Sequence, residues 1–182
     1  MATVSLEALR ELVHHMEWAD ACVWRALLAH PAAFQDTRLR DLLRHLHGVQ
    51  RGFLAIWTAQ TFDPQVAAAT WDPPSALSAV RSYYTDLHAA IASFDEATLE
   101  RRIVMPGLEL YEQRMGRRFD APTLAETILQ VATHSTYHRG QVNARLREAG
   151  GEPPLVDYIA WIWFGRPAPE WIVESRREST AK

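Results

Sequence analysis

Cysteine occurs once in 182 residues, at position 22. No disulfide can therefore form within the chain, and nothing points to an oxidising compartment. Glycine is scarce as well. Eight glycines stand against eight histidines and seven tryptophans, a balance that suits long helices with few breaks better than a β protein with many tight turns. No apolar stretch reaches the roughly 18 residues that a membrane helix needs. The opening segment Met1-Ala-Thr-Val-Ser-Leu-Glu-Ala8 has neither the basic lead nor the apolar centre of a signal peptide. Neither charge sign dominates: 19 Lys and Arg against 22 Asp and Glu leave a net −3, which speaks against a dedicated nucleic-acid binder with its basic face. The expectation is a cytoplasmic protein with no nucleic-acid or membrane partner, folded as one domain over residues 1–182.

Helical periodicity runs through most of the chain. Leu6, Leu9, Val13, Met16, Val23 and Leu27 recur mostly at three- and four-residue steps between Ser5 and His30, and Pro31 stops the run. A second helix is expected from Asp36 or Thr37 to about Gln60, with Leu39, Leu42, Leu46, Val49, Phe53, Ile56 and Trp57 as its apolar stripe. Asp63-Pro64 and Trp71-Asp-Pro-Pro74 bracket a loop, after which Ser75 opens a third helix closing near Phe94. From Glu100 to Asp120 the period is lost around Pro106, Gly107 and Gly116, which predicts a short hairpin or irregular insertion. Thr123 with Glu126 fits a capping box for a fourth helix that runs to about Ala149 and stops at Gly150-Gly151. A short aromatic helix over Asp157–Phe164 and a polar tail follow. The fold class this predicts is all-α: a four-helix bundle with one long crossover. Loop lengths suggest that helices 1 and 2, and 3 and 4, are antiparallel neighbours.

Histidines carry the chemistry. The stripe of the fourth long helix reads Leu124, Ile128, Val131, His134, His138, Val142, Leu146. Both histidines thus lie on the apolar face, one turn apart, a spacing from which two ring nitrogens reach a single metal ion. Two donors make a weak site, so a third must come from a facing helix. On the second helix His45 falls roughly 70° from the middle of the apolar stripe and His47 roughly 130°. This selects His45 as the third ligand and leaves His47 on the wet face with Arg44 and Arg51. Three imidazoles and an open fourth position describe a catalytic zinc site, though nickel or iron would accept the same donors. The competing reading is a pair of hydrogen-bonded core histidines, which would still need partners for their ring N–H groups.

The remaining candidates rank lower. Of His14 and His15, neighbours on the first helix, at most one faces inward as a fourth ligand. His88 lies off the third helix's stripe and reads as surface, and His30 sits at a helix end where a cation suits the dipole. Trp18, Trp24, Trp57, Trp161 and Trp163 read as core or cavity lining, and Cys22 as structural. No Gly-rich phosphate loop, Ser-His-Asp order or paired-Cys zinc pattern is present.

Three segments resemble the DinB/YfiT-like metalloenzyme superfamily of helical-bundle proteins. His134-Ser-Thr-Tyr-His-Arg-Gly-Gln141 is very like the family's His-x-x-x-His-Arg-x-Gln stretch. Asp41-Leu-Leu-Arg-His-Leu-His-Gly-Val-Gln50 resembles its second-helix segment, and Met16-Glu-Trp-Ala-Asp20 with Val23-Trp24 its first helix. Gly150-Gly-Glu-Pro-Pro154 followed by Asp157-Tyr158 is similar to the exit from its last helix. The resemblance implies His45, His134 and His138 as ligands of a divalent metal, usually zinc or nickel, in a four-helix bundle that often forms homodimers. Asp20 stands where many relatives have Asn, and Arg139 and Gln141 read as anchors of the helix to its neighbours.

The superfamily includes transferases and isomerases that work with low-molecular-weight thiols. The implied function is a metal-dependent enzyme that activates a thiol or water against a small electrophilic substrate, with a metal-bound water or Asp20 as candidate base. The alternatives are a non-catalytic metal-binding stress or sensor protein, and an inert bundle whose histidines are core.

Overall fold

Ser5, Asp36, Asp72, Asp95 and Thr123 each turn a side-chain oxygen onto a backbone N–H three residues ahead. Each so satisfies a donor that the first turn of a helix leaves orphaned, a contribution of about 1 kcal/mol per cap. The computed structural model describes residues 4–61 and 72–171. The elements are α1 (Leu6–Ala29), a 3₁₀ turn (Pro31–Gln35), α2 (Thr37–Trp57), α3 (Pro73–Ala92), α4 (Glu96–Leu99), α5 (Leu108–Met115), α6 (Leu124–Glu148) and α7 (Tyr158–Trp163). The capping box of Thr123 and Glu126 is formed in both directions. The 3₁₀ turn after Pro31 and the start of α3 two residues before Ser75 are additions to the expected boundaries. The expected loop at Asp63-Pro64 and most of the polar tail lie outside the described residues.

Inward faces of four long helices make the core: Leu9, Val13 and Leu27 of α1, Leu39, Leu43 and Leu54 of α2, Val80, Tyr84 and Leu87 of α3, and Leu124, Ile128, Val142 and Leu146 of α6. Burying each such leucine or valine stabilises by about 1.5–3 kcal/mol before chain entropy is counted. Side-chain contacts set the directions. His30 meets Ala149 and Asp20 meets Arg139, so α1 and α6 run parallel. Asp36 meets Arg145 and Trp57 meets Thr127, so α2 opposes α6. Glu17 meets His88 and Asp20 meets Tyr84, so α3 opposes α1. The bundle is therefore up, down, down, up.

The pairing corrects the expected neighbours. α6 lies against α1 and α2, and α3 against the same two, which puts α1 and α2, like α3 and α6, on the diagonals. Loop length could not anticipate this, because a short turn permits a diagonal step as readily as an adjacent one.

The insertion before α6 is not a hairpin. Its one β feature among the described residues is an isolated bridge between Arg102 and Thr123, and residues 108–115 form α5. Gly107 and Gly116 flank that helix in left-handed conformation, φ 75° and 65°, which glycine adopts without the steric cost other residues bear. The same two glycines that broke the apolar period thus start and stop a helix. A satellite cluster of Trp18, Ala19, Cys22 and Trp161 docks α7 onto α1.

Candidate metal centre

α6 carries its functional residues in two adjacent rows. His134 and His138 stand on one flank, half-buried; Ser135 and Arg139, one residue further in each case, point fully into the bundle. The apolar stripe read from the sequence therefore blends two rows, and its histidines border the core rather than sit within it.

His45 of α2 closes the cluster. Its Nε2 lies 3.2 Å from Nε2 of His134, and the ring centroids of His45, His134 and His138 are 4.3–5.0 Å apart. One ligand nitrogen from each lies within 4.8 Å of the others. Two nitrogens bound tetrahedrally to one ion at 2.0–2.1 Å would stand about 3.3–3.4 Å apart, so the 3.2 Å spacing fits a shared cation. It also fits an N–H···N hydrogen bond between neutral rings. His45 is exposed, so the cluster faces solvent across the α2–α6 seam.

All the resolved shifts favour neutral rings. Burial, then the charges of His138 and His45, push His134 down to about 4. Burial and His138 lower His45 too. A neutral imidazole is the form that binds metal. Around the ring of His138, Nδ1 meets Oε1 of Gln141 at 2.8 Å, and Tyr137, largely exposed, sets its ring edge-on at 5.0 Å. Nδ1 of His134 is buried with no hydrogen-bond partner among the described residues.

His47 corrects the sequence reading. It is half-buried, not on the wet face: Trp24 donates Nε1–H to its Nε2 at 3.0 Å, and its Nδ1 meets Gln50 Oε1 at 2.8 Å. The inward row of α2 runs Leu39, Leu43, Leu46, Gln50, Leu54, Trp57, and the polar Gln50 inside it displaced the face that hydrophobicity alone identifies. Asp20 is likewise no base for the site. It is 1% exposed and accepts from Arg139 at 2.5 Å, Tyr84 at 2.5 Å and Gln50 at 2.9 Å. Burial alone would raise its carboxyl; Arg139 and His47, with the Tyr84 and Gln50 hydrogen bonds, hold it below the usual value. Gln50 also donates to Ser135 at 3.1 Å. All four long helices thus meet in one buried polar hub, which sequence reasoning missed. Its signal was polar residues falling in step with apolar ones.

Other candidates fall away from the cluster. His15 is buried against Val156 O at 3.0 Å, and His14 stacks on His88, which bonds Glu17 at 2.6 Å. Trp18, Trp24, Trp57 and Trp161 are buried, whereas Trp163 is 75% exposed. Burial raises the Cys22 thiol, consistent with a structural role. No helix among the described residues is long and apolar enough to cross a membrane.

Comparison with known proteins returns one family. The model of the DinB family matches residues 5–170. No curated protein and no solved structure matches the chain.

Proposed function

The chain belongs to the DinB family, and from that membership and its three converging imidazoles we propose that it binds a divalent cation through His45, His134 and His138 and acts as a metal-dependent enzyme, transferring a low-molecular-weight thiol, or water, to a small electrophile. The observation that carries this reading is the 3.2 Å approach of His45 on α2 to His134 on α6. These residues lie 89 positions apart in the chain, so their meeting is a product of the fold and not of local helical spacing.

When bound, a cation held by three neutral donors lowers the pKa of a thiol or water at its open position. The chain's own residues do the rest. His45, His134 and His138 supply uncharged nitrogens. The exposed side of His45 leaves an approach for a small molecule, and Tyr137 stands as a wall on the His138 side. Zinc and nickel both suit this donor set.

Protein purified without a histidine tag and analysed for metal tests the first half: bound zinc or nickel, lost in His134→Ala, is the expected result, and a metal-free wild type overturns it. A panel of bacterial thiols offered with monochlorobimane tests the second half. Thiol-dependent conjugation that needs the metal supports transfer. Metal binding without any turnover favours the second reading, a non-catalytic metal-binding protein. That reading draws support from Asp20, whose carboxylate is fully engaged with Arg139, Tyr84 and Gln50 and not free to act as a base.

A further inference from the structure

We propose that Gln141 is a positioning residue of this centre: it holds His138 with the proton on Nδ1, so that the Nε2 lone pair is the one presented to a cation. The inference rests on the metal-binding reading above and adds to it the residue that selects the ligand atom.

The argument comes from a second copy of the same unit in the chain. On α2, His47 is followed by Gln50; on α6, His138 is followed by Gln141. Both pairs are three residues apart, and in both the ring Nδ1 meets the amide Oε1 at 2.8 Å. In the first pair, independent partners settle where every proton lies. The Asp20 carboxylate, held below the usual carboxylate value and thus ionised, only accepts hydrogen bonds, so the Gln50 group facing it at 2.9 Å must be the NH₂. Oε1 of Gln50 is therefore the atom turned to His47 and needs a proton from Nδ1. From the other side Trp24 Nε1–H, which can only donate, points at His47 Nε2 at 3.0 Å, so that nitrogen carries a bare lone pair. His-x-x-Gln on a helix thus gives an Nδ1–H imidazole with an accepting Nε2.

Gln141 repeats the geometry on α6, but among the described residues no indole donates to Nε2 of His138. Its ring lies 4.3 Å from that of His134 and 4.5 Å from that of His45, centroid to centroid. The neighbouring ligand lacks such support: Nδ1 of His134 is buried without a hydrogen-bond partner among the described residues. His138 is therefore the ligand set in advance, and His134 and His45 join it.

A hydrogen-bonded partner on the far ring nitrogen typically changes metal affinity 10–100-fold. In the full-length, tag-free chain, Gln141→Leu should weaken zinc binding by about that factor in competition with a chromophoric chelator. Gln141→Glu, which keeps an acceptor at the same reach, should hold or exceed the wild-type affinity. A tautomer measurement supplies a readout that a merely structural role would not move. Long-range ¹H–¹⁵N spectra of metal-free protein should show His138 as the Nδ1–H form in the wild type and in Gln141→Glu, and as a mixture in Gln141→Leu, with unchanged helical circular dichroism. Wild-type zinc affinity in Gln141→Leu, or an Nε2–H tautomer of His138 in the wild type, overturns the proposal while leaving the metal site standing. A wild type that binds no zinc overturns the site itself and the proposal with it.

Discussion

Arg139 and Asp20 form an ion pair of 2.5 Å between side chains only 2% and 1% exposed, one residue along α6 from His138. Two charges removed from water this completely are tolerable only with every lone pair occupied. The second oxygen of Asp20 accepts from Tyr84 and Gln50, and Gln50 in turn reaches Ser135. The pair therefore ties α1 to α6 and, through Gln50, α2 to both. Those same helices bring His45 to His134 and His138.

Breaking the pair from one side strands a buried guanidinium. Asp20→Ala is expected to cost about 3–5 kcal/mol, which at roughly 2–4 °C per kcal/mol is a fall in Tm of about 6–20 °C. Asp20→Leu combined with Arg139→Met should recover part of that loss, because no unpaired charge remains. Calorimetry of the single and double variants decides it, and a Tm for Asp20→Ala within about 2 °C of wild type would show that the hub carries no load.

Metal should stabilise the fold by mass action. At a free concentration 100 times Kd, a ligand bound only by the native state adds about 2.7 kcal/mol, a rise of about 5–11 °C in Tm. Zinc or nickel titrated into metal-free protein should give this rise, and His45→Ala, His134→Ala and His138→Ala should each abolish it while leaving the metal-free Tm close to wild type. Equal shifts in wild type and His134→Ala would place the cation elsewhere.

Stability of the metal-free protein should fall on mild acidification. Burial, before any other cause, lowers the ring pKa of both His15 and His47 below 6.5 in the folded chain. The unfolded chain takes up these protons near pH 6.5 and the native state does not, so stability increases with pH across that window. The contribution is complete above about pH 6.5 and is lost as pH drops towards the folded-state values. For His47 the contacts favour the same neutral form, since a proton on Nε2 would displace the Trp24 hydrogen bond. The urea midpoint at pH 5.5 should lie below that at pH 7.5, and His47→Asn should narrow the gap. A midpoint that rises on acidification contradicts the assignment.

Gly151 sits where the end of α6 closes on the core. A Cβ there would clash with Cδ1 of Leu146 and stand 2.9 Å from its Cγ, with His30 Cδ2 at 3.3 Å. Leu146 is fully buried, so its side chain would have to shift against close-packed neighbours. Gly151→Ala should therefore destabilise by about 1–3 kcal/mol, measurable in denaturant, whereas Gly140→Ala, whose Cβ meets nothing within 4 Å, should be neutral or mildly stabilising. Equal midpoints for the two variants would refute the clash.

Local signals carried far. Thr123 was legible as a cap, and Asp36 as one of two candidates beside Thr37, because each acts on an amide three residues away in its own helix. The i, i+4 step of His134 and His138 was legible for the same reason. His45 and His47 were harder: choosing between them required the inward row of α2, and Gln50 conceals that row from any reading by hydrophobicity. The insertion at 100–120 was legible as a break in the period but not as a helix, because Gly107 and Gly116, taken as breaks, also bound a helix between them.

By itself the chain determined the long helical segments, where they start to within two residues, and the shared flank of His134 and His138, since each depends on neighbours within about four residues. Only the tertiary structure decided that α1 and α2 face each other across a diagonal, that Asp20, Gln50, Ser135 and Arg139 lie inside, and that His45 meets the pair on α6. The physical reason is that a polar group can be buried only when its partner arrives from another helix, and no periodicity along one helix records which partner that will be.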